Sequence, residues 1–505
     1  MYYHNLSLKF NRVVKSNVNN QALRYEKNEI TYNALNLKSK SYVDLLFHLG
    51  FRKGDVLCIV NRKEFEAYAM MIACLKSGIA YVNLDEDNPL IRTKKIIDRC
   101  VPKGIFEDSN SNVFKNFCSE NEILHFNTEL AFTIESQPNR NNISAVDGNT
   151  IAYIMFTSGS TGEPKGVAVT HQNLLHFTDW IGNRYNITPE DNFANLSPMY
   201  FDNSVFDFYG ALFNGASLSP IPKNKMANPK ELVQYIDYMK CTIWFSVPSL
   251  LIFLINMKVL SKEVLQNIRV FTFGGEGFPK SNLKKLYDIY NKTANIINVY
   301  GPTEGTCICS SYDISKNDFI DMTELPSLGI INPNFSYEIN TSESVKGDVG
   351  ELIIIGPNVA AGYYNFPEKT EEVFGTYQNG AHYFNRYYKT GDLVKELDGL
   401  LYFKGRKDNQ IKHMGYRIEL EEIENAMNTI PYIKESAVVY KRINDSYGKI
   451  IAYIVSELED NVNDIKEELK NKIPQYMIPS KIKFMKILPK NANGKIDRKQ
   501  LKEVL

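Results

Sequence analysis

The sequence predicts an α/β protein with a large N-terminal body and a small α+β C-terminal lid. Short apolar runs rich in β-forming residues recur along the chain, and amphipathic stretches separate them. From about Leu352 the pattern changes to strands divided by Gly, Asn and Asp turns. We therefore expect parallel sheets covered by helices in the body, a β-rich subdomain after them, and a separate unit at the end.

The individual elements follow from these patterns. The predicted strands of the body are residues 56–60, 150–156, 242–247, 270–273 and 296–299, and its predicted helices include residues 65–76, 229–240 and 280–290. The last unit follows a charged turn at 405–409 and is predicted to contain a helix at 419–427, strands at 438–440 and 449–456, a helix at 462–472 and a strand at 481–484. We divide the chain into a body, residues 1–407, and a lid, residues 408–505.

Composition excludes several classes of protein. The 505 residues contain 58 Lys+Arg and 58 Asp+Glu, and this zero net charge argues against nucleic-acid packaging or adhesion to acidic membranes. The N-terminus does not resemble a signal peptide, and the longest apolar stretch, near 247–255, is far shorter than the roughly 20 residues that span a bilayer. Seven cysteines without a CxxC pair predict reduced thiols. We expect a cytoplasmic protein that neither inserts into membranes nor binds nucleic acid.

A glycine-rich loop, FTSGSTGEPKG at 156–166, directly follows a predicted strand. Its glycines leave backbone N–H groups free to turn toward an anion, and its hydroxyls and Lys165 add further donors. Gly166, rather than Ser or Thr, follows Lys165, so the loop departs from the Walker pattern. The loop predicts a phosphate site of a different kind from that of P-loop kinases.

Further motifs follow in a fixed order: FGGEGF (273–278), NVYGPTEG (298–305), YKTGD (388–392), GRKDNQIKHMGYRIELEEIE (405–424) and NANGKIDRK (491–499). In this order and spacing they resemble the adenylate-forming superfamily. Within it, they are most similar to the amino-acid adenylation domains of nonribosomal peptide synthetases and to stand-alone D-alanyl carrier protein ligases. The resemblance covers nearly the whole chain.

The resemblance implies a site for ATP and Mg²⁺. Glu304 would hold Mg²⁺, and Asp392 would accept both ribose hydroxyls because an ionised carboxylate has two acceptor oxygens. Tyr300 offers a ring for adenine stacking, although a core aromatic residue is the alternative interpretation. The implied ATP-binding residues are Thr157, Ser158, Gly159, Ser160, Thr161, Gly162, Lys165, Gly275, Glu276, Asn298, Tyr300, Gly301, Thr303, Asp392, Arg406 and Lys495.

Three lid residues have implied roles in catalysis and movement. Lys495 would stabilise the charge that builds when a carboxylate attacks a phosphoryl group, and with Glu304 and Thr157 it forms the predicted catalytic set. Asp408 resembles the hinge about which the lid rotates, and Gly415 resembles the residue that borders the path of an incoming thiol.

The segment LSPMYFDNSVFDFYGAL at 196–212 bears on substrate choice. Asp202 resembles the aspartate that pairs with a substrate α-ammonium, and a helix N-cap is the alternative interpretation. The resemblance implies a substrate pocket made of Asp202, Asn203, Phe206, Phe245, Phe271, Phe273, Val299, Cys307 and Ile308. So many phenyl rings favour a small amino acid, although rings could instead stack on an aromatic or cyclic substrate.

The implied function is activation of an amino acid as aminoacyl-AMP, followed by transfer to the phosphopantetheine thiol of a separate carrier protein. No carrier or condensation motif follows Lys495, which favours a free-standing ligase. Transfer to free coenzyme A, as in acyl- or aryl-CoA ligases, is an alternative that Asp202 argues against. A non-catalytic nucleotide-binding scaffold is a further alternative. The presence of four residues argues against it: Lys165, Glu304, Asp392 and Lys495.

Overall fold

The computed structural model describes residues 3–108, 112–129, 146–159, 162–342, 348–379, 383–444, 447–456, 462–490 and 496–503. Its α/β body and smaller C-terminal unit confirm the predicted fold class. Across these ranges, no helix combines the length and the apolar character needed to cross a membrane.

The described part of the body contains a seven-stranded sheet. Its strands are, in spatial order, Gly362–Tyr363, Lys165–Thr170, Ile151–Thr157, Ala80–Leu84, Val56–Val60, Gly104–Glu107 and Leu124–Asn127. The last five are parallel, as their unbroken apolar sequences predict, whereas the first two pair antiparallel. The glycine-rich loop therefore joins two antiparallel neighbours of this sheet.

A nine-stranded sheet forms the second layer of the described body. Its strands are, in spatial order, Ile330–Ile331, Ser310–Asp313, Asn295–Tyr300, Val270–Gly274, Ile243–Ser246, Asn192–Asn195, Ser217–Pro220, Gln21–Arg24 and Glu29–Thr31. The six strands from Asn295–Tyr300 to Gln21–Arg24 are parallel. Their carboxyl ends meet at one edge of the sheet, which is where open parallel sheets bind ligands.

Helices cover both sheets. In the body they are Leu6–Ser16, Tyr32–His48, Phe65–Ser77, Leu90–Cys100, Lys115–Glu120, His171–Arg184, Asn203–Leu212, Lys223–Met226, Pro229–Tyr238, Pro248–Asn256, Lys280–Tyr290 and Pro367–Val373, with 3₁₀ turns at Thr303–Gly305 and Lys316–Phe319. The helix Phe65–Ser77 is buried on every side from Ala67 onward, as expected for a helix that is apolar all round. One apolar core includes residues of this helix and of both sheets, so the two layers form a single packed body.

The chain then forms the predicted β-rich subdomain. Its antiparallel strands are Ser336–Asn340, Gly350–Ile355, Phe374–Asn379, Tyr383–Leu397 and Leu400–Arg406. Tyr383–Leu397 pairs with three of the others, and Asp392 lies on it.

The C-terminal unit begins with a hairpin of strands Gln410–His413 and Tyr416–Glu419. A sheet of Ile433–Asn444, Tyr447–Ser456 and Lys481–Phe484 follows, packed with helices Leu420–Asn428, Val462–Lys470 and Arg498–Glu503 and a 3₁₀ turn at Gln475–Met477. The strand predicted at 438–440 extends over Ile433–Asn444. The prediction was too short because exposed polar residues near its ends, such as Lys434 and Arg442, interrupt the apolar pattern.

Candidate active site

The predicted site residues gather where the body meets the hairpin. Thr157 ends one strand, Tyr300 ends another, and Asp202 directly precedes the helix Asn203–Leu212. The hairpin lies over them, since Ser158 Oγ donates a hydrogen bond to the carbonyl of Arg417 at 2.7 Å. Residues of the hairpin border three cavities of the described structure.

The Tyr300 cavity, of about 350 Å³, is bordered by Gly275, Glu276, Asn298, Tyr300, Asp392, Arg406 and Lys412, among others. The Tyr300 hydroxyl donates to Oδ2 of Asp392 at 2.6 Å, and Arg406 Nη1 donates to Oδ1 at 2.6 Å. Each carboxylate oxygen keeps a second lone pair, so Asp392 can still accept two hydroxyl groups. These contacts suit a ribose diol beside a ring that stacks on Tyr300.

Arg406 also anchors the start of the lid. Its Nε and Nη2 donate to the two oxygens of Asp408 at 2.7 Å each. Burial alone would raise the pKa of Asp408, but the hydrogen bonds and charge of Arg406 outweigh it and lower the pKa. The predicted hinge residue is thus tied to the residue that holds Asp392.

Glu276 joins the body to the tip of the hairpin. Its Oε1 accepts from the backbone N–H of Ser249 at 2.7 Å, and its Oε2 accepts from that of Gly415 at 3.1 Å. Gly415 has a φ of +82°, and a Cβ there would overlap the side chain of Val247. Glycine is therefore required by both backbone conformation and close packing.

The Asp202 cavity, of about 80 Å³, is bordered by predicted substrate residues Asp202, Asn203, Phe245, Val299, Cys307 and Ile308. Asp202 makes no side-chain hydrogen bond to the helix that it precedes, which disfavours the N-cap interpretation. Its Oδ2 instead accepts from the Thr303 hydroxyl at 2.6 Å. Burial raises the pKa of Asp202, and the Thr303 hydrogen bond and the charges of Lys412 and Arg417 offset that rise only in part. Such a group attracts a positively charged ligand.

Two predicted pocket residues lie elsewhere. Phe271 and Phe273 face the opposite side of the sheet, where they pack with Trp244, Tyr290 and Phe278. Side chains alternate between the two faces of a strand, so an error of one position assigns a residue to the wrong face. The residue that pairs with the cavity residue Phe245 is Thr272, which lies between Phe271 and Phe273.

Phe206 does not border the cavity either. It lies behind Phe245, with their ring centroids 4.8 Å apart.

The described part of the glycine-rich loop faces the same region. Thr157 and Ser158 border the Asp202 cavity, and the backbone N–H of Gly162 donates a hydrogen bond of 2.9 Å to the carbonyl of Gly159. Burial lowers the pKa of Lys165, and the charge of Arg417 lowers it further. Ser160 and Thr161 lie outside the described residues.

Glu304 is completely buried and held from two sides. Arg417 Nη1 donates to both of its oxygens, at 3.0 and 2.8 Å, and the Tyr363 hydroxyl donates to Oε1 at 2.7 Å. Burial would raise the pKa of Glu304, but the charges of Arg417 and Lys165 and the Tyr363 hydrogen bond outweigh it and lower the pKa to about 2. Glu304 is therefore an ionised carboxylate at neutral pH.

Glu304 also bears on whether the site suits Mg²⁺. Within the described ranges, no group of three or more His, Cys, Asp or Glu side chains is arranged to hold a metal. Mg²⁺ bound to a nucleotide needs only one or two carboxylates, with water and phosphate oxygens completing its shell. Ionised Glu304 fits that requirement once Arg417 moves away.

Two cations of the hairpin were missed by the sequence analysis. Arg417 lies in the string GYRIE and Lys412 in QIK, so both stand in a motif that the resemblance had singled out. Lys412 Nζ lies 5.8 Å from the centre of the Tyr300 ring and borders both cavities. Their positions depend on how the hairpin meets the body.

Lys495, the predicted catalytic lysine, lies outside the described residues.

Comparisons with known proteins identify the family of this chain. The AMP-binding enzyme family matches residues 10–364, and the AMP-binding enzyme C-terminal domain matches residues 422–495. An L-proline--[L-prolyl-carrier protein] ligase of Pseudomonas fluorescens is 32% identical over 488 residues, which cover 94% of each chain. A D-alanine--D-alanyl carrier protein ligase of Staphylococcus aureus is 34% identical over 493 residues, which cover 96% of each.

A solved structure shares the fold. The Vibrio cholerae adenylation domain AlmE, in complex with glycyl-adenosine-5'-phosphate, superposes with a TM-score of 0.84 and 22% identity. The superposition covers 100% of this chain and 98% of that one.

Proposed function

This chain belongs to the AMP-binding enzyme family, and from that premise we propose that it is an ATP-dependent ligase that loads a small amino acid onto a carrier protein. The observation that carries the proposal is Asp202, a carboxylate that caps no helix and borders a cavity of about 80 Å³. A fatty or aryl acid offers no cation to such a group, whereas an amino acid does. The relatives at 32% and 34% identity are ligases for L-proline and D-alanine, respectively.

In the first step, a carboxylate oxygen of the amino acid attacks the α-phosphorus of ATP, and pyrophosphate leaves. Asp202 binds the α-ammonium group, and Asp392 orients the ribose. Glu304 is the residue that would hold Mg²⁺, and bound Mg²⁺ neutralises charge on the phosphates. Lys165 adds a cation from the glycine-rich loop, and Lys495 is proposed to stabilise the reacting oxygens.

In the second step, the carrier's phosphopantetheine thiol attacks the acyl carbon, the thiol proton is lost, and AMP leaves. We propose that residues 408–505 rotate about Asp408 between the steps. Because Arg417 holds Glu304 and Gly415 docks on Glu276, the observed arrangement suits the second step. Because the reaction consumes ATP, we propose that it takes place in the cytoplasm.

The decisive experiment measures pyrophosphate release against both enantiomers of the common amino acids. We expect release with alanine-sized amino acids and none with their deaminated analogues. Product analysis with a phosphopantetheinylated D-alanyl carrier protein, and in parallel with free coenzyme A, then identifies the acceptor. Equal use of deaminated acids, or thioester formation on coenzyme A alone, would contradict the proposal.

A further inference from the structure

A third cavity, the Lys389 cleft, lies on the far side of Arg417 from the Asp202 cavity. It has a volume of about 530 Å³ and is bordered by Lys165, Tyr363 and Lys389 of the body and by Arg417 and Glu419 of the lid. Tyr363 and Arg417 also hold the Glu304 carboxylate, so the cleft begins directly beside that residue. Lys389 is partly exposed, so the cleft reaches the surface.

Most carboxylates of the cleft already have a cation. The pairs are Asp408 with Arg406 at 2.7 Å, Glu351 with Lys407 at 3.2 Å, Glu372 with Lys369 at 2.8 Å and Glu421 with Arg498 at 3.6 Å. These pairs largely cancel one another's fields inside the cleft.

Within the described chain, one lysine of the cleft has no partner and a second has only a distant one. Among the described residues, Lys389 forms no ion pair and no side-chain hydrogen bond, although it lines the cleft. Lys165 Nζ lies 3.8 Å from Glu419, beyond hydrogen-bond distance, and Glu419 has no closer cation in the described chain. Burial lowers the pKa of Lys165 and raises that of Glu419, which indicates that the pair satisfies neither group fully. An anion between the two lysines would stabilise both.

We propose that the Lys389 cleft binds inorganic pyrophosphate and releases it from the enzyme, with Lys165 at the inner end and Lys389 at the outer end. The inference rests on the proposed function, in which the bond between the α-phosphorus and the bridging oxygen breaks and pyrophosphate departs with that electron pair. Pyrophosphate carries several negative charges on two phosphoryl groups, and the proposal assigns one lysine to each group.

The cleft would also give pyrophosphate a route that differs from the site of the adenylate. The adenylate must stay at Asp202 and Asp392 for the second step, whereas pyrophosphate must leave. Neither Lys165 nor Lys389 borders the Tyr300 cavity, which adjoins the cleft only through Arg406, Asp408, Asn409 and Gln410. Arg417 occupies the Glu304 carboxylate in this arrangement, so Glu304 is not free to hold a metal-bound phosphate.

The test measures binding of pyrophosphate to the full chain by calorimetry, without nucleotide, amino acid or metal. We expect the wild type to bind, and Lys389→Met to weaken binding at least tenfold, which corresponds to about 1.4 kcal/mol. The matched control is Lys395→Met, because Lys395 lies on the same strand but pairs with Asp348 at 2.5 Å and does not line the cleft. The control should bind within about twofold of the wild type.

Lys389→Arg keeps the positive charge and should restore most of the binding, which excludes a simple folding defect. Orthophosphate, which has a single phosphoryl group and fewer negative charges, should bind more weakly than pyrophosphate. Absence of pyrophosphate binding by the wild type, or equal loss in both methionine variants, would overturn the proposal. Because the assay contains no ATP or amino acid, such a failure is separate from a failure of amino-acid-dependent thioester formation.

Discussion

The backbone N–H of Gly415 donates a hydrogen bond to Oε2 of Glu276 at 3.1 Å. The other oxygen of that carboxylate accepts from Ser249 at the start of the helix Pro248–Asn256. One side chain of the body thereby fixes the tip of the lid hairpin at the site. The space between Gly415 and Val247 has no room for a side chain, so this contact also sets how closely the lid approaches.

Gly415→Ala should separate the two half-reactions. The new Cβ would overlap Val247 and shift the hairpin, and a displacement of about 1 Å in a reacting arrangement can cost 10²-fold. We expect thioester transfer to fall at least about tenfold, with aminoacyl-AMP formation within about threefold of the wild type. Gly399→Ala is the matched control, because Gly399 has a similar φ of +75° but no heavy atom near its Cβ position. Equal loss of both half-reactions in Gly415→Ala would contradict the assignment.

Asp202→Ala should raise KM for the amino acid by roughly 10- to 100-fold, because the substrate ammonium loses a counter-charge worth about 2 to 5 kcal/mol. Thr303→Val keeps the carboxylate and removes only the hydroxyl that donates to it, so a smaller rise is expected. Steady-state kinetics of pyrophosphate release measures both. If the two variants had equal KM values, Asp202 would not be the ammonium partner.

Phe245→Ala should enlarge the Asp202 cavity, because Phe245 borders it directly and Phe206 supports Phe245 from behind. Preference should shift from alanine-sized toward leucine-sized amino acids, with each methylene worth about 1 to 3 kcal/mol. Competition assays with alanine, serine, glycine, proline, leucine and phenylalanine measure the shift. A wild-type preference for phenylalanine would instead favour stacking of an aromatic substrate on the ring.

Arg417→Met should make stability depend on pH in a defined direction. The folded-state pKa of Glu304, about 2, is lower than the ordinary value of 4.5, so its ion pair stabilises the protein above pH 4.5 and is lost as pH falls toward 2. Removing one partner of a buried pair typically costs about 3 to 5 kcal/mol. The difference in thermal midpoint between wild type and Arg417→Met should be largest near pH 7 and shrink below pH 4.5. Arg417→Lys, which keeps the positive charge, should show a smaller difference in thermal midpoint. A difference between wild type and Arg417→Met that does not change with pH would refute the pairing of Arg417 with Glu304.

Lys495→Ala should reduce aminoacyl-AMP formation by roughly 10²- to 10³-fold, as loss of a transition-state contact usually does. Transfer from preformed aminoacyl-AMP should persist. Lys490→Ala is a nearby control, because Lys490 forms an exposed pair with Glu435 at 3.0 Å. Near wild-type adenylation by Lys495→Ala would show that another cation does this work.

Much of the fold could be predicted because its signals are local. Buried parallel strands appear as short apolar runs, and the strands Val56–Val60 and Val270–Gly274 lie where those runs predicted them. Motif order likewise identified the family. The face of a strand was harder to predict, since a one-residue error placed Phe271 and Phe273 in the pocket although both face the other core.

The sequence by itself determined the order of elements, the glycine-rich loop and the carboxylates Asp202, Glu304 and Asp392, since each is encoded in a short segment. Only the tertiary structure decided which partners those carboxylates have. Glu304 meets Arg417 across 113 residues, and Asp392 meets Tyr300 across 92. The Lys389 cleft arises in the same way, because strands and a hairpin far apart in sequence enclose it. Such contacts depend on how whole elements pack, and no local pattern specifies that packing.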